Sequence, residues 1–292
     1  MIAPSASARA VARGERARRA SAANLTLGQR IARVALAGVT ALVLAFLVAP
    51  IAVIVPLSFS SGAFFTYPLP GLSLRWYRDF FTSSFWLPSV WNSLLVGTSA
   101  TLLATLLGTL AALGLWRARF AFRGLLLALL ISPMVVPVVI VAVGVYFAFA
   151  PLGLNDGYAG LILAHTALAA PFVVITVLAT LSGFDPTLLR AAASLGASPI
   201  AAFRRVMLPL ILPGVLAGGV FAFATSFDEV IVALLIAGPG QRTLPRQMFA
   251  GINDQISLTI AAAATLLIAL SIVLMAFVAW LTRRSRHLAR GR

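Results

Sequence analysis

The sequence predicts an all-α, polytopic membrane protein with six transmembrane helices, and three observations lead to this prediction. First, 61% of the 292 residues are hydrophobic and only 10% are charged, whereas soluble domains are nearer half apolar. Second, the chain contains long uncharged stretches, each with the roughly 20 residues that a helix needs to cross a bilayer. Third, the period-two alternation of a membrane β-barrel is absent.

Six apolar stretches are long enough to cross a bilayer as helices, in which every backbone polar group is satisfied locally. They are residues 34–57, 90–115, 124–150, 158–181, 209–237 and 258–282. Together they form a predicted transmembrane domain over residues 34–282. Prolines are expected to kink these helices; they are Pro133, Pro137, Pro171 and Pro213. Glycines are expected to allow close helix packing; they are Gly108, Gly114, Gly218 and Gly219.

The arginines orient the predicted bundle, and all 22 basic residues are Arg. Eighteen of them fall in the tails 1–33 and 283–292 and in the connections 116–123 and 182–208, and four fall on the other side. The positive-inside rule then places both termini in the cytoplasm, as in a bacterial inner-membrane protein. The tail 1–33 is predicted to be disordered. Because the basic tails adjoin spans, they favour contact with anionic lipid over nucleic acid.

The composition excludes several functions for this chain. Without cysteine it forms no disulfide, thiolate metal site or Cys nucleophile. Without lysine it has no Walker A motif, so any ATP and Mg²⁺ are expected on a partner rather than as cofactors here. No paired Ser and base and no metal-ligand cluster is visible, so the chain is predicted not to be an enzyme.

The connection 182–208 is the least membrane-like segment on the predicted cytoplasmic side. An Asp-Pro pair at Asp185 predicts a helix start, and Gly196 predicts a left-handed cap that ends this helix. A Ser-Pro pair at Ser198 repeats the start signal for a second short helix. Two short helices joined to a span can transmit the movement of a docked protein. The residues alone are also compatible with an ordered loop between spans.

The same connection resembles the "EAA" signature of the permease subunits of ATP-binding-cassette (ABC) importers. The positions that carry the resemblance are Ala191, Ala192, Gly196, Leu208 and Pro209, with Val206 in place of Ile. The family usually has Glu where this chain has Arg190. The resemblance implies a type I importer fold in which this segment is the coupling helix that docks on the ATPase subunit. Arg190 excludes the usual acidic contact, so docking then rests on a compensating acid or on the apolar face.

Further motifs are similar to the spermidine/putrescine-type permeases. They are Ala164-His165-Thr166, Pro171-Phe-Val-Val, Gly183-Phe-Asp185, Phe227-Asp228-Glu229-Val230 and Gly238-Pro-Gly-Gln-Arg-Thr-Leu-Pro245. The resemblance covers about residues 50–281. It implies alternating access driven by a separate ATPase, a polyamine as cargo, a second related permease subunit and an external solute-binding protein. Another small organic or cationic cargo, or an ion-driven secondary transporter, remains an alternative.

Asp228 and Glu229 are the only acids inside a predicted span. An intramembrane carboxylate is costly unless it faces a cavity or a partner, so these two are candidates for a cationic substrate path. The alternative is that they pair with another subunit or lie in water at the outer mouth. His165 lies in the fourth span, where a hydrogen bond between helices is favoured over a proton relay.

The predicted outer loop 58–89 is long enough to contain a short helix at residues 74–81, with Ser73 as its cap. This helix is interpreted either as a docking surface for the solute-binding protein or as a lid that closes the bundle.

Overall fold

The computed structural model describes residues 26–117, 121–254 and 257–290, and in these ranges the chain is helical apart from short connections. The first helix, α1 (Leu27–Leu57), belongs to a separate unit that ends at Pro56. Its residues 27–53 are exposed. The expectation of a disordered tail over residues 1–33 is therefore wrong for residues 27–33, which form the first turns of α1; residues 1–25 lie outside the described part.

Eleven further helices make up the second unit within the described ranges. They are α2 (Arg75–Thr82), α3 (Trp86–Arg117), α4 (Arg123–Val135), α5 (Val138–Phe149), α6 (Tyr158–Ser182), α7 (Thr187–Ser194), α8 (Pro199–Ala202), α9 (Leu208–Phe227), α10 (Ile231–Ile236), α11 (Leu244–Asp254) and α12 (Leu258–Arg290). Five helices of the described chain are long and apolar enough to cross a membrane, or six if the bent pair α4 and α5 is one span. The prediction of an all-α polytopic protein is confirmed.

The centre of the second unit is formed by α3, α6 and α9, which pack against one another. Small residues make this possible: Ala104 and Ala112 of α3 and Ala222 of α9 are fully buried. They surround the valines of α6, among which Val173 and Val177 are also fully buried. Since lipid tails are as apolar as these side chains, helix association here depends on close van der Waals contact rather than on the hydrophobic effect.

Two glycines of α3 allow a matched test of this packing. A Cβ on Gly108 would lie 2.8 Å from Cβ of Val173, whereas a Cβ on Gly114 would meet nothing within 4 Å. We expect Gly108→Ala to destabilise the protein by about 1–3 kcal/mol through overpacking. Gly114→Ala is expected to be neutral or to stabilise it by up to about 1 kcal/mol, because Ala is the better helix former. Thermal unfolding of the detergent-purified variants measures both, and equal melting temperatures would contradict the packing described here.

The third predicted span, 124–150, is not a single helix. It consists of α4 and α5, which meet at an angle of 105°. Val136 between them is extended, with φ −70° and ψ 136°; this is the conformation that a following proline, here Pro137, favours over the helical one. The prolines were expected to kink this span; the structure instead breaks it.

The fifth predicted span, 209–237, is also interrupted. Helix α9 ends at Phe227 and α10 begins only at Ile231. At this break the Glu229 carboxylate accepts hydrogen bonds from the amides of Val232 and Ala233 and so stabilises the first turn of the new helix, as a capping side chain does. The expectation of one continuous helix through Asp228 is therefore wrong, and α10 packs instead against α5.

The predicted outer loop contains the expected short helix as α2. The helix begins one residue later than predicted, with Leu74 rather than Ser73 at its N-cap, and the Ser73 hydroxyl accepts a hydrogen bond from the amide of Arg75 at 3.1 Å. An isolated antiparallel bridge joins Ser60 to Leu72, and the Trp76 indole donates to the Ser60 carbonyl at 2.9 Å. The loop is thus ordered by specific hydrogen bonds.

Candidate functional site

The 182–208 segment has the local structure that its sequence signals predict. The Asp185 carboxylate accepts a hydrogen bond from the amide of Thr187 at 2.8 Å and thereby starts α7. Gly196 ends the helix with a left-handed φ of 84°, and the amide of Ala197 donates to the carbonyl of Ala192 at 3.0 Å. This is the hydrogen bond that closes a Schellman-type helix end. The Ser198 hydroxyl then accepts from the amide of Ala201 at 3.3 Å.

The hydrogen-bonded cap at Asp185 does not change with pH near neutrality. Hydrogen bonding to the side chain and amide of Thr187 holds the pKa of the Asp185 carboxyl below its ordinary value, and the charge of Arg190 contributes in the same direction. A depressed pKa means that the capped, ionised form is present above the ordinary carboxyl pKa and is lost only as the solution becomes strongly acidic. The start of α7 therefore persists throughout the physiological range.

The second half of the segment is part of a membrane helix. Residues Pro199–Phe227 form one helix of 29 residues, which includes a π turn at Phe203–Met207. In this turn the amide of Leu208 bonds to the carbonyl of Phe203. A regular helix would press the ring of Pro209 against the carbonyl four residues earlier, and the wider π turn relieves that contact. The predicted second short helix is thus continuous with the span.

The residues of the EAA-like signature do not share one environment. Arg190, Ala191, Gly196 and Pro209 are exposed, whereas Ala192, Val206 and Leu208 are partly buried. Leu208 packs against the cluster that contains Met207 and Ile211. The signature therefore combines an exposed surface on α7 with partly buried residues that attach this surface to α9.

Two large apolar side chains flank Gly196 on the exposed surface. Leu195 is 88% exposed and Ile200 is 72% exposed. We call residues 195–200, which include the turn at Gly196, the tip of the segment; in the described part of the chain both side chains are largely uncovered. Neither was named as a candidate from the sequence, because apolar side chains in a membrane protein carry no signal of their own; their position beside the predicted cap is the clue that was available.

Glu229 lies in a buried polar cluster that joins α6 to the end of α9. His165 of α6 is fully buried, and its Nδ1 is 2.8 Å from the Ser226 hydroxyl. Its Nε2 is 3.6 Å from Oε2 of Glu229. The two Glu229 oxygens accept the amides of Val232 and Ala233 at 2.9 and 3.1 Å. The hydrogen bond between helices expected of His165 is confirmed, with Ser226 as a partner that sequence reasoning missed.

Asp228 has a different environment from its neighbour Glu229. It is exposed and lies at a groove between α9 and α12 with a volume of about 330 Å³. The groove is otherwise almost wholly apolar; its other lining residues are Val220, Phe221, Ala224, Phe227, Leu267, Leu270, Ser271, Leu274 and Met275. A carboxylate beside apolar walls suits a cation that also carries hydrocarbon. The two predicted substrate-path acids are therefore adjacent in sequence but face different surroundings.

The motif Gly238–Pro245 is held against α3 by two side chains. The Asn92 amide donates to the carbonyls of Gly240 and Arg242 at 3.0 and 2.9 Å. The Ser93 hydroxyl accepts from the amide of Leu244 at 2.7 Å. Asn92 is 4% exposed, and its carbonyl accepts from the Tyr158 hydroxyl. The motif is thus a structural connection that closes the end of the bundle opposite the 182–208 segment.

The acidic residues and histidines of the described ranges do not form a metal-binding cluster. In residues 26–117, 121–254 and 257–290, no three His, Cys, Asp or Glu side chains are grouped so as to hold a metal ion. The His165 cluster contains only two such groups, and its Ser226 is buried together with them. The candidate functional features are instead the exposed apolar tip, the continuous helix Pro199–Phe227 and the Asp228 carboxylate at the groove between α9 and α12.

Comparison with known proteins identifies the class to which this fold and these sites belong. Residues 104–287 match the family described as the binding-protein-dependent transport system inner membrane component. The chain belongs to this family, and it is thus a multi-pass permease subunit of an ABC importer.

Individual relatives agree with this assignment. The chain is 32% identical over 245 residues to the spermidine/putrescine transport system permease protein PotC of Haemophilus influenzae, covering 84% of this chain and 95% of that protein. It is 31% identical over 242 residues to the putrescine transport system permease protein PotI of Escherichia coli, covering 80% and 85%. A shorter match, 36% over 168 residues and 54% of this chain, is to a probable molybdenum ABC transporter permease of Haloferax volcanii.

Solved structures share the fold. A bacterial ABC transporter that imports the acidic polysaccharide alginate superposes with a TM-score of 0.66 at 14% identity, covering 87% of this chain and 96% of that one. An amino acid ABC transporter superposes with a TM-score of 0.51 at 19% identity, covering 72% and 95%. Identities this low indicate a common permease fold and leave the cargo open.

Proposed function

We propose that this permease subunit forms half of the path by which an ATP-driven importer carries a polyamine such as spermidine or putrescine into the cell. The observation that carries the proposal is the exposed Asp228 carboxylate in an otherwise apolar groove. At an effective dielectric constant near 20, a cation about 4 Å from a carboxylate gains roughly 4 kcal/mol. The methylene segments of a polyamine would lie against the apolar walls. The names of the relatives PotC and PotI support the same cargo.

The proposal extends to the rest of the assembly, and membership of the family supports it. Two cytoplasmic ATPase subunits bind ATP and Mg²⁺, a second and related permease completes the path, and an external solute-binding protein delivers the cargo. Both termini lie in the cytoplasm, as the arginine distribution predicts. The apolar tip around Leu195 and Ile200 is the surface that docks on the ATPase, and it compensates for the absence of an acid at position 190. Closure of the ATPase dimer then moves the tip and reorients the path.

The proposal is tested by reconstituting the full importer in vesicles with labelled spermidine. We expect ATP-dependent uptake that unlabelled putrescine inhibits and that an oxyanion such as molybdate leaves unchanged. Uptake without an ATPase subunit would indicate an ion-driven transporter instead. ATP-dependent uptake of molybdate but not of spermidine would mean that the cargo is an oxyanion rather than a polyamine, in agreement with the shorter match to the molybdenum permease.

A further inference from the structure

The His165 imidazole lies beside residues on both sides of Asp228, the residue that faces the groove. Its Nδ1 is bonded to Ser226, two residues before Asp228, and its Nε2 approaches Glu229, one residue after it. The backbone at Asp228 is where α9 stops, with the last helical bond running from its amide to the carbonyl of Ala224 at 3.1 Å. One imidazole therefore spans the turn from which the Asp228 side chain projects.

The imidazole is in turn fixed by its surroundings. His165 is 0% exposed, so the ring has no room to change rotamer without repacking. If the Ser226 hydroxyl donates to Nδ1, the proton of the neutral ring is on Nε2 and points toward the Glu229 carboxylate. This is the tautomer in which Glu229 faces a donor. Nε2 has no hydrogen-bond partner within 3.5 Å, and the 3.6 Å gap to Oε2 is just beyond bonding distance.

The Glu229 carboxylate is already hydrogen-bonded to the backbone. Both of its oxygens accept amide hydrogen bonds at the start of α10, and its side chain is only 7% exposed. It is therefore unsuited to contact cargo directly in this conformation, whereas Asp228 is exposed. A division of labour follows, in which the buried carboxylate shapes the turn and the exposed one faces the groove.

We propose that His165 is a positioning residue for transport, which acts through Ser226 and Glu229 to fix the direction of the Asp228 carboxylate at the groove between α9 and α12. This inference rests on the proposed role of Asp228 in the cargo path. It assigns to the buried cluster a function beyond the joining of α6 to α9, because a cluster that only stabilised the fold would not alter how well an assembled importer uses each ATP.

The test measures the number of labelled spermidine molecules transported per ATP hydrolysed by the reconstituted importer, since this ratio does not depend on the amount of folded complex. We expect His165→Leu to lower the ratio about tenfold. His165→Asn should retain most of it, because the Asn side-chain amide can occupy the position of Nδ1 and keep the contact with the Ser226 hydroxyl. Thr166→Val is the matched control: Thr166 is the next residue of α6 and is 5% exposed, but its hydroxyl bonds only within its own helix, to Ile162.

The double variant decides whether His165 acts through Asp228. In an Asp228→Asn background, His165→Leu should lower the ratio no further, since the group that it positions is already neutral. The inference would be overturned if His165→Leu lowered the ratio by the same factor in the Asp228→Asn background as in the wild type. It would also be overturned if His165→Leu alone left the ratio unchanged. An unchanged ratio in Asp228→Asn alone would instead remove the proposed role of Asp228. If His165→Leu does not accumulate, Ser226→Ala carries the same comparison, because it deletes the 2.8 Å contact that orients the ring.

Discussion

Replacement of Leu195 by glutamate is expected to abolish transport by the assembled importer and to release its ATPase subunit. Leu195 is 88% exposed at the tip of the 182–208 segment, so the substitution leaves the fold of the permease intact. Burial of a leucine at an interface contributes roughly 1.5–3 kcal/mol, which corresponds to about 10–100-fold in affinity. A buried, unpaired charge would add a further cost of several kcal/mol. Co-purification of the tagged permease with the ATPase measures the effect.

Leu195→Met is the matched control for this prediction. Methionine keeps the apolar character and nearly the volume of leucine, and volume-conserving apolar exchanges usually cost less than about 1.5 kcal/mol. We therefore expect near-normal recovery of the ATPase with Leu195→Met. Normal recovery with Leu195→Glu would mean that the tip does not contact the ATPase, and the docking surface would then have to be sought elsewhere on the permease.

Replacement of Asp228 by asparagine is expected to reduce the uptake of labelled spermidine at least tenfold. Asparagine preserves the shape of the side chain and removes the charge that faces the groove. A tenfold change corresponds to about 1.4 kcal/mol, which is well within the roughly 4 kcal/mol available to an ion pair at partial burial. ATP hydrolysis stimulated by the solute-binding protein should persist, because the 182–208 segment is unchanged. Initial uptake rates in vesicles, normalised to complex content, give the measurement.

Asp156→Asn provides the corresponding control. Asp156 is an exposed acid in the connection before α6, its left-handed φ of 61° suits Asn equally well, and it does not line the groove. Its replacement changes the net charge of the chain by the same amount, so a general electrostatic effect on uptake would appear in both variants. Equal losses in the two variants would contradict a specific role for Asp228.

The parts of the fold that follow from local signals were predictable. The helix start at Asp185 and the left-handed turn at Gly196 depend on residues that lie within a few positions of one another, and both are present. The breaks in two spans were not predicted. A proline shows that a helix is disturbed, but it does not give the 105° angle between α4 and α5, nor the packing of α10 against α5. That packing is a long-range property, which no local pattern contains.

The candidate site shows the same division. The two acids of the span were identifiable because a carboxylate among apolar residues is conspicuous. Their separate environments were not, since Glu229 is buried by His165, which lies on another helix, and Asp228 is exposed by a groove that α12 completes. A period of 3.6 residues places side chains on a helix face, but it does not identify the neighbouring helix. For the same reason, the sequence pattern did not predict that Leu195 is exposed.

The continuous helix Pro199–Phe227 has a mechanical consequence. Its 29 residues make a rod about 43 Å long at 1.5 Å per residue. A tilt of roughly 10° about the middle of such a rod displaces each end by about 4 Å in opposite directions. A push on this rod beside Ile200 would therefore swing the end that carries Ser226 in the opposite direction, provided that the π turn at Phe203–Met207, which lies between the two, stays rigid.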